Sequence, residues 1–244
     1  MNVPLLELLT LSRNRLRSEA DYRAMQNLIA ESPLSELKDR GIDLTDSVML
    51  ELGAGYGGYT QVFDKNARRL IASDIYQADV FAEDLSHVEF AHVDVREPFP
   101  FSDGLFDFIS CSSLIEHVAD RSTLFQECGR ILASKGKALI SFPPFWSLSL
   151  VGGHQYKPFH FLGERMAVKL ATQKRGSIIN SYDHDYGEGQ LYPLTVKAVR
   201  QDLKVNGLRI LEEWARMSPV NTLAWPGPLA DLFTWHACFL VSAE

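Results

Sequence analysis

No stretch of the 244-residue chain reaches the run of about 18 apolar residues that spans a bilayer, so no transmembrane helix is expected. Cysteine is scarce. Cys111, Cys128 and Cys238 are odd in number and widely spaced, which excludes a disulfide framework and a zinc pattern and makes a reducing cytoplasm the expected location. Positive charge is in deficit, 24 Lys and Arg against 31 Asp and Glu. A dedicated nucleic-acid partner, which needs a basic face for phosphates, is therefore not expected. The N-terminal leucine run is a poor secretory signal, so a leader is not expected there. The run Leu5, Leu6, Leu8, Leu9 and Leu11 has no basic residue before it, is interrupted by Glu7, and is followed by Arg13, Arg15 and Arg17. It reads better as an amphipathic helix. Asp183-His184-Asp185 has no further ligands at a recognisable spacing, so it reads as a solvated loop and no metal is expected. Internal repeats and low-complexity segments are absent.

What the chain does have is an α/β rhythm of a length suited to one domain. Residues 2–31 read as one or two helices, with a break at Pro33. Strands are expected at Val48–Leu52, Arg69–Asp74, Val88–Val93, Phe106–Ser112 and Lys137–Phe142. A helix over Ser122–Ala133 carries Leu124, Phe125, Cys128, Ile131 and Leu132 at helical spacing, with Gly136 as its stop. Apolar strands separated by helices indicate a parallel sheet covered on both faces. Residues 143–193 interrupt the rhythm with aromatics, histidines and a basic helix near Gly163–Lys174. A helix over Thr195–Val205, a strand over Leu208–Trp214, a Pro-rich non-helical loop and a strand over Trp235–Val241 follow. The last two strands suggest an antiparallel hairpin at the sheet edge. The expected fold is α/β, a doubly wound seven-stranded sheet with a terminal antiparallel hairpin. Residues 1–45 are expected to form a helical cap, 46–244 the main domain, and 143–193 a lid or substrate insertion.

The chemistry concentrates at the carboxyl ends of the expected strands, where ligands of open parallel sheets bind. Val48–Leu52 contains Glu51 and runs into Gly53-Ala54-Gly55-Tyr56-Gly57-Gly58, a turn whose backbone can approach a ligand closely. Asp74 lies 19 residues after Gly55, suiting a carboxylate that accepts from both hydroxyls of a ribose. Asp94 starts the loop after the third strand, placed to take an exocyclic amine. Ser112 ends the fourth strand. The set describes an adenosine-shaped site. The glycines alone stay ambiguous, because Gly53-x-Gly55-x-x-Gly58 also satisfies a dinucleotide fingerprint.

These pieces resemble the class I S-adenosylmethionine (SAM)-dependent methyltransferases, in particular the small-molecule group with a type-11-like domain. The matching residues are Glu51 to Gly57, Ser73-Asp74, Asp94 with Pro98 to Phe101, Phe106 to Ile109, Leu114 to Val118, and Arg130 to Leu132 before Gly136. The resemblance implies a Rossmann-like fold with SAM as cofactor. It implies that Glu51 supports the loop and the methionine amino group. It also implies that Gly53, Ala54, Gly55 and Gly57 make room for the methionine portion. Asp74 with Ile75 would hold the ribose, Asp94 and Val95 would meet the adenine, and Ser112 would face the sulfonium. Tyr56 departs from the family's small or polar residue and suits a gate.

Methyl transfer from a sulfonium is an in-line displacement, and a hydroxyl acceptor gains from a base. Three histidines are candidates: His117 after the fourth strand, and His154 and His160 in the glycine- and aromatic-rich stretch Gly152–Phe161. That stretch is faintly similar to methyltransferases associated with surface-polysaccharide synthesis. The expected activity is methyl transfer to a small molecule, at oxygen, with a sugar or glycan hydroxyl as the narrower expectation. Two alternatives stay open: an NAD(P)-dependent oxidoreductase, which needs a sixth parallel strand, and a SAM-binding interaction protein without catalysis. The sequence does not specify the oligomeric state.

Overall fold

The computed structural model describes residues 19–148, 159–175, 191–216 and 220–244. The chain enters on helix α1 (Glu19–Asp39) and strand β1 (Val48–Leu52), followed by α2 (Gly58–Asp64), β2 (Arg69–Asp74) and β3 (Glu89–His92). Then come β4 (Phe106–Ser112), α3 (Ser122–Ile131), β5 (Leu132–Phe142), α4 (Glu164–Arg175) and α5 (Val196–Val205). It closes with β6 (Leu208–Arg216), α6 (Pro228–Phe233) and β7 (His236–Ala243). One seven-stranded sheet has the order β3-β2-β1-β4-β5-β7-β6. The first five strands pair in parallel, while β7 runs antiparallel to both β5 and β6. The expected doubly wound sheet and its terminal antiparallel pair are both present.

Two cores lie on opposite faces, because alternate residues of each strand point to opposite sides. On one face Leu124, Phe125, Cys128 and Ile131 of α3 and Val199 and Leu203 of α5, all fully buried, meet Leu50, Ile109 and Ile140. The other face carries α1 and α2, through Ala30, Leu34, Leu37, Val62 and Phe63 against Met49, Phe108, Leu139 and Leu240. Helix α1 crosses the start of α2 so closely that a Cβ on Gly58 would stand 2.3 Å from the Gln26 Cβ. The Asn27 amide donates to Gln61 at 2.6 Å, and Arg23 pairs with Asp84 at 3.1 Å. A third, smaller cluster joins Phe145 and Leu191 to Ala167, Val168 and Ala171 of α4. The three cysteines are buried and free.

Four local expectations are corrected. Pro33 does not break the first helix; it lies inside α1. A proline in that position forfeits one backbone bond, but buried Ala30, Leu34 and Leu37 flank it and packing outweighs the loss. Helix α3 ends at Ile131, and Leu132 already pairs with Phe106 as the start of β5. Gly136 therefore does not stop a helix; it lies within β5 beside the register shift between Phe106 and Phe108. The connection between β6 and β7 is not free of helix, since it contains a turn at Thr222–Ala224 and the short α6. Gly227 and Pro228 start that helix, and its buried Asp231 accepts the Val196 N–H at 2.7 Å, tying it to the start of α5.

Gly136 has a close-approach role: a Cβ there would lie 2.8 Å from the Phe106 carbonyl oxygen and 3.0 Å from the Ala133 backbone. Gly136→Ala should cost about 1–3 kcal/mol, the range of an overpacked interior, read as a lower urea midpoint at constant slope. An unchanged midpoint would mean that β5 begins without that tight approach.

Candidate active site

The site forms where β1, β2 and β4 end side by side. Leu52 pairs with Ser73 on one side and Cys111 on the other. The chain leaves β1 through a turn in which Gly53, Gly55 and Gly57 take φ of 77°, 51° and 75°. Side chains with a Cβ rarely adopt that region. The Gly53 and Ala54 N–H groups both donate to the Ser73 carbonyl, at 2.9 and 3.0 Å. The Gly55 N–H donates to Asp74 Oδ2 at 2.9 Å. A Cβ on Gly57 would meet the Leu85 side chain at 2.5 Å, whereas one on Gly55 would project into open space. The turn is thus packed on one side and accessible at Gly55.

Glu51 sits under this turn, 3% exposed. Its Oε2 accepts the Thr60 hydroxyl at 2.7 Å, and its backbone carbonyl accepts the Ser73 hydroxyl at 2.7 Å. Burial raises its carboxyl to about 7; the Thr60 bond opposes the rise and the nearby Asp74 charge adds to it. Asp74 is half-buried beside exposed Ile75 and Tyr76, and its Oδ1 accepts the Tyr76 N–H at 3.3 Å. Asp94 follows β3 and is held by Arg96, whose Nη2 reaches Oδ2 at 2.6 Å and whose Nε reaches Oδ1 at 2.9 Å. That bond holds the Asp94 carboxyl below the usual carboxylate range. Val95 is buried. The following segment is strapped to α3 by Arg130, which donates to the Phe99 and Phe101 carbonyls at 3.1 and 2.7 Å.

Beyond β4 the polar row continues. Ser112 and Ser141 share a hydrogen bond at 2.8 Å, and Ser141 meets His236 Nε2 at 3.2 Å, with the donor set by the tautomer. Ser113 has φ of 54°, a conformation uncommon for a residue with a Cβ, and its N–H donates to the Ser141 carbonyl at 2.8 Å. Burial and the neighbouring Arg216 charge hold His236 well below the usual histidine range, so its ring is neutral. Strand alternation sets Asp74, Glu51, Ser112, Ser141, His236 and Arg216 on one sheet face, at one edge, across six neighbouring strands.

The structure brings the sequence-expected residues Glu51, Gly53, Ala54, Gly55, Gly57, Asp74, Ile75 and Ser112 to that edge, with Asp94 and Val95 at the adjacent end of β3. The histidines separate. His117 is partly exposed at the end of a turn, Ile115–His117, just after β4. His160 is 1% exposed, with its ring 4.0 Å from Phe161, 5.8 Å from Phe145 and 6.0 Å from Trp146 between centroids. This packing role is distinct from presentation to a solvent-filled cleft. His154 and Asp183-His184-Asp185 lie outside the described residues. Sequence reasoning passed over Thr60, Ser141, Arg216, His236 and Glu116. Glu116 is 5% exposed, and burial raises its carboxyl. The available signal was a polar residue near a strand end, in the first turn of a helix or beside a turn, and it has meaning only once the strand order is known.

Residues 50–140 match a family model described as a methyltransferase domain. A protein from Mycobacteroides abscessus called an uncharacterized methyltransferase is 26% identical over 194 residues, 76% of this chain and 67% of that protein. The ubiquinone biosynthesis O-methyltransferase of Xanthomonas oryzae pv. oryzae is 24% identical over 139 residues, 48% of this chain and 58% of that protein. Among solved structures, a SAM-dependent methyltransferase from Clostridium acetobutylicum superposes with a TM-score of 0.59 at 14% identity, over 88% of this chain and 90% of that one. The match to further mycobacterial methyltransferases spans about half their length, 54%. Together with the sheet order and the terminal antiparallel pair, these findings show a methyltransferase domain over residues 50–140 and a fold shared with solved SAM-dependent methyltransferases. The oxidoreductase alternative required a sixth parallel strand, and β7 is antiparallel to β5. Among the described residues no helix is long and apolar enough to cross a membrane.

The Glu51 environment has a measurable consequence. An acid with a folded pKa above its unfolded value binds more protons folded than unfolded in the window from 4.5 to about 7, so stability falls as pH rises across it. Glu51→Gln removes that titration. The variant should match the wild type below pH 4.5 and exceed it above pH 7 in the ligand-free state. The gain reaches up to about 3 kcal/mol in urea unfolding, at 1.36 kcal/mol per pKa unit. A difference that stays constant with pH would contradict the buried-acid assignment.

Proposed function

We propose that the protein transfers the methyl group of SAM to a hydroxyl of a small molecule, and that a sugar or glycan hydroxyl is the narrower acceptor class. The observation that carries the cofactor half is the Gly55 N–H to Asp74 bond at 2.9 Å, which sets an accessible glycine beside a carboxylate at the strand ends. In this reading Asp74 keeps acceptor capacity for the ribose hydroxyls after taking Gly55. Glu51, once ionised, takes the methionine ammonium from below the turn. Its raised pKa makes that step coupled to proton release. Asp94 and Val95 border the adenine, with Arg96 fixing the Asp94 carboxylate in place.

Bound there, SAM supplies an electrophilic methyl on a sulfonium that leaves as a neutral thioether. The protein's own work is to orient the acceptor and receive its proton. Ser112 and Ser141 line the β4–β5 end, where their shared hydrogen bond presets hydroxyl directions. His117, partly exposed one turn beyond Ser112, is the proton acceptor in this proposal. The oxygen acceptor is supported by the likeness to an O-methyltransferase from Xanthomonas oryzae pv. oryzae. The carbohydrate reading is supported by the ring cluster of Phe145, Trp146 and Phe161, of which Phe161 is 45% exposed and able to offer an apolar face.

Calorimetry with S-adenosylhomocysteine and NAD tests the cofactor half. The first should bind and the second should not. Asp74→Ala should weaken S-adenosylhomocysteine by about 2–3 kcal/mol, the scale of losing hydrogen bonds to a charged acceptor. Unchanged affinity would move the ribose elsewhere. His117→Ala should lower turnover by about 10²–10⁴-fold while leaving S-adenosylhomocysteine affinity intact, followed by labelled-methyl transfer to a panel of sugars and phenols. Retained turnover would remove His117 from the chemistry. Tight cofactor binding with no transfer to any panel member would favour the binding-protein alternative.

A further inference from the structure

Arg216, the last residue of β6, is 0% exposed. Among the described residues none of its three guanidinium nitrogens has a partner in full hydrogen-bonding geometry. A cation taken out of water this far, with most of its five N–H donors lacking a well-formed bond, carries a penalty of several kcal/mol. Its surroundings answer that penalty only in part. Tyr59 answers it most: its side chain acts on the guanidinium by charge and by a weak side-chain hydrogen bond that falls short of full bonding geometry, and its ring centroid lies 5.9 Å from the guanidinium carbon. Glu36 is the nearby acid that acts on it through space, yet its oxygens are engaged by the Trp214 indole N–H at 2.6 Å and the Ser32 hydroxyl at 3.2 Å. The register partner of Arg216 is His236.

Its position links it to the site. Tyr59 belongs to the first turn of α2, directly after the glycine turn. His236 meets Ser141, which meets Ser112 at the end of β4. Arg216 thus ends the polar row on the side away from Asp74, three strand spacings or about 14 Å beyond β4. That places it toward β5 and the hairpin, away from the ribose and adenine end. A guanidinium presents a rigid fork of donors that matches an oxyanion two bonds at a time.

We propose that Arg216, with its register partner His236 beside it and Ser141 one strand further along the row, is a subsite for an oxyanionic group, carboxylate or phosphate, on the methyl acceptor. The acceptor is then a hydroxylated anion, and the subsite holds its charged end while the hydroxyl faces the methyl donor. This rests on the methyltransferase reading above. It adds a requirement that the reading does not contain, a negative charge on the acceptor.

The test uses wild type, Arg216→Met and Arg216→Lys. Each is titrated with S-adenosylhomocysteine and with 5′-methylthioadenosine, which lacks the amino-acid portion. The S-adenosylhomocysteine-saturated proteins are then titrated with glucuronate and glucose 6-phosphate against glucose, and with 4-hydroxybenzoate against 4-hydroxybenzyl alcohol. Wild type should bind at least one anionic probe about tenfold or more tighter than its neutral counterpart, a difference of about 1.4 kcal/mol. Arg216→Met should lose that preference and Arg216→Lys should keep part of it. Whichever anionic probe is preferred, the sugar carboxylate, the phosphate or the benzoate, identifies the source of the charge.

Ligand-free Arg216→Met should melt at or above the wild-type temperature, because an unanswered buried charge is removed. Equal binding of anionic and neutral probes, no binding of any anionic probe, or a preference surviving in Arg216→Met overturns the inference. A melting temperature well below wild type overturns it too, since the guanidinium would then already be satisfied within the free protein. A loss of S-adenosylhomocysteine affinity confined to Arg216→Met, with 5′-methylthioadenosine unaffected, overturns it by assigning the guanidinium to the cofactor's carboxylate. Failure of wild type to bind S-adenosylhomocysteine is a different result, and it removes the methyltransferase reading itself.

Discussion

The hydrogen bond from the Gly55 N–H to Asp74 Oδ2 is the constraint on which the site depends. It joins the turn after β1 to the end of β2, and it forms only if three separate conditions hold. The two strands must be parallel and in the register that sets Leu52 against Ser73. The turn must reach positive φ at Gly53, Gly55 and Gly57, so that successive N–H groups point at Ser73 and Asp74. Helix α2 must then leave in a fixed direction, which α1 enforces by packing against Gly58 with no room for a side chain. Sheet, turn and helix are thereby locked by one carboxylate. The same carboxylate electrostatically raises Glu51, so the geometry of the turn and the protonation of the acid beneath it are coupled.

Much of this was legible because β1, β2 and β4 are apolar runs with sharp ends, and the structure starts and stops them at the expected residues. The acids at those ends needed no tertiary information either, since a parallel sheet delivers every strand end to the same edge. What failed was local punctuation. Proline and glycine are read as breakers, but Pro33 sits where buried neighbours on both sides hold a helix together, and Gly136 answers a carbonyl thirty residues earlier in the chain. Arg216, His236 and Ser141 were invisible for another reason. Each is one polar residue at or near the end of its strand, with nothing in its spacing to single it out, and only the order β5-β7-β6 makes them neighbours. The candidate base was hardest to read. The sequence offered three histidines and favoured His154 for its neighbouring glycines; the fold distinguishes a packed His160 from a partly exposed His117 by burial, which no spacing encodes.

The sheet face that carries the site holds an unusual charge pattern. Glu51 is buried toward one end of the row and Arg216 at the other, separated by hydroxyls and one neutral imidazole. Pairing the two would be the cheaper arrangement for folding. Keeping them four strand spacings apart, about 19 Å, leaves both unneutralised by each other. The two cores on either side of the sheet supply the burial that tolerates such groups. Charges held apart at a cost to stability are a usual property of sites made to meet charges of a ligand, because their energy is released only on binding.

The antiparallel strand explains why this row extends so far. Had β7 been parallel to β5, its carboxyl-terminal residue would have reached the ligand edge. Being antiparallel, β7 brings its first residue there instead, and β6, antiparallel to β7, brings its last. Both ends of the connection between them therefore emerge at the same edge as the glycine turn. His236 and Arg216 are those two ends. The connection itself, with Trp225, Leu229 and Phe233 partly exposed, overhangs that edge from the hairpin side. The feature that separates this sheet from a fully parallel dinucleotide-binding one is thus also what furnishes a polar wall beyond β5. In the proposed reading, the cofactor is held by the half of the sheet common to many parallel folds, and the acceptor is chosen by the half that the reversed strand creates.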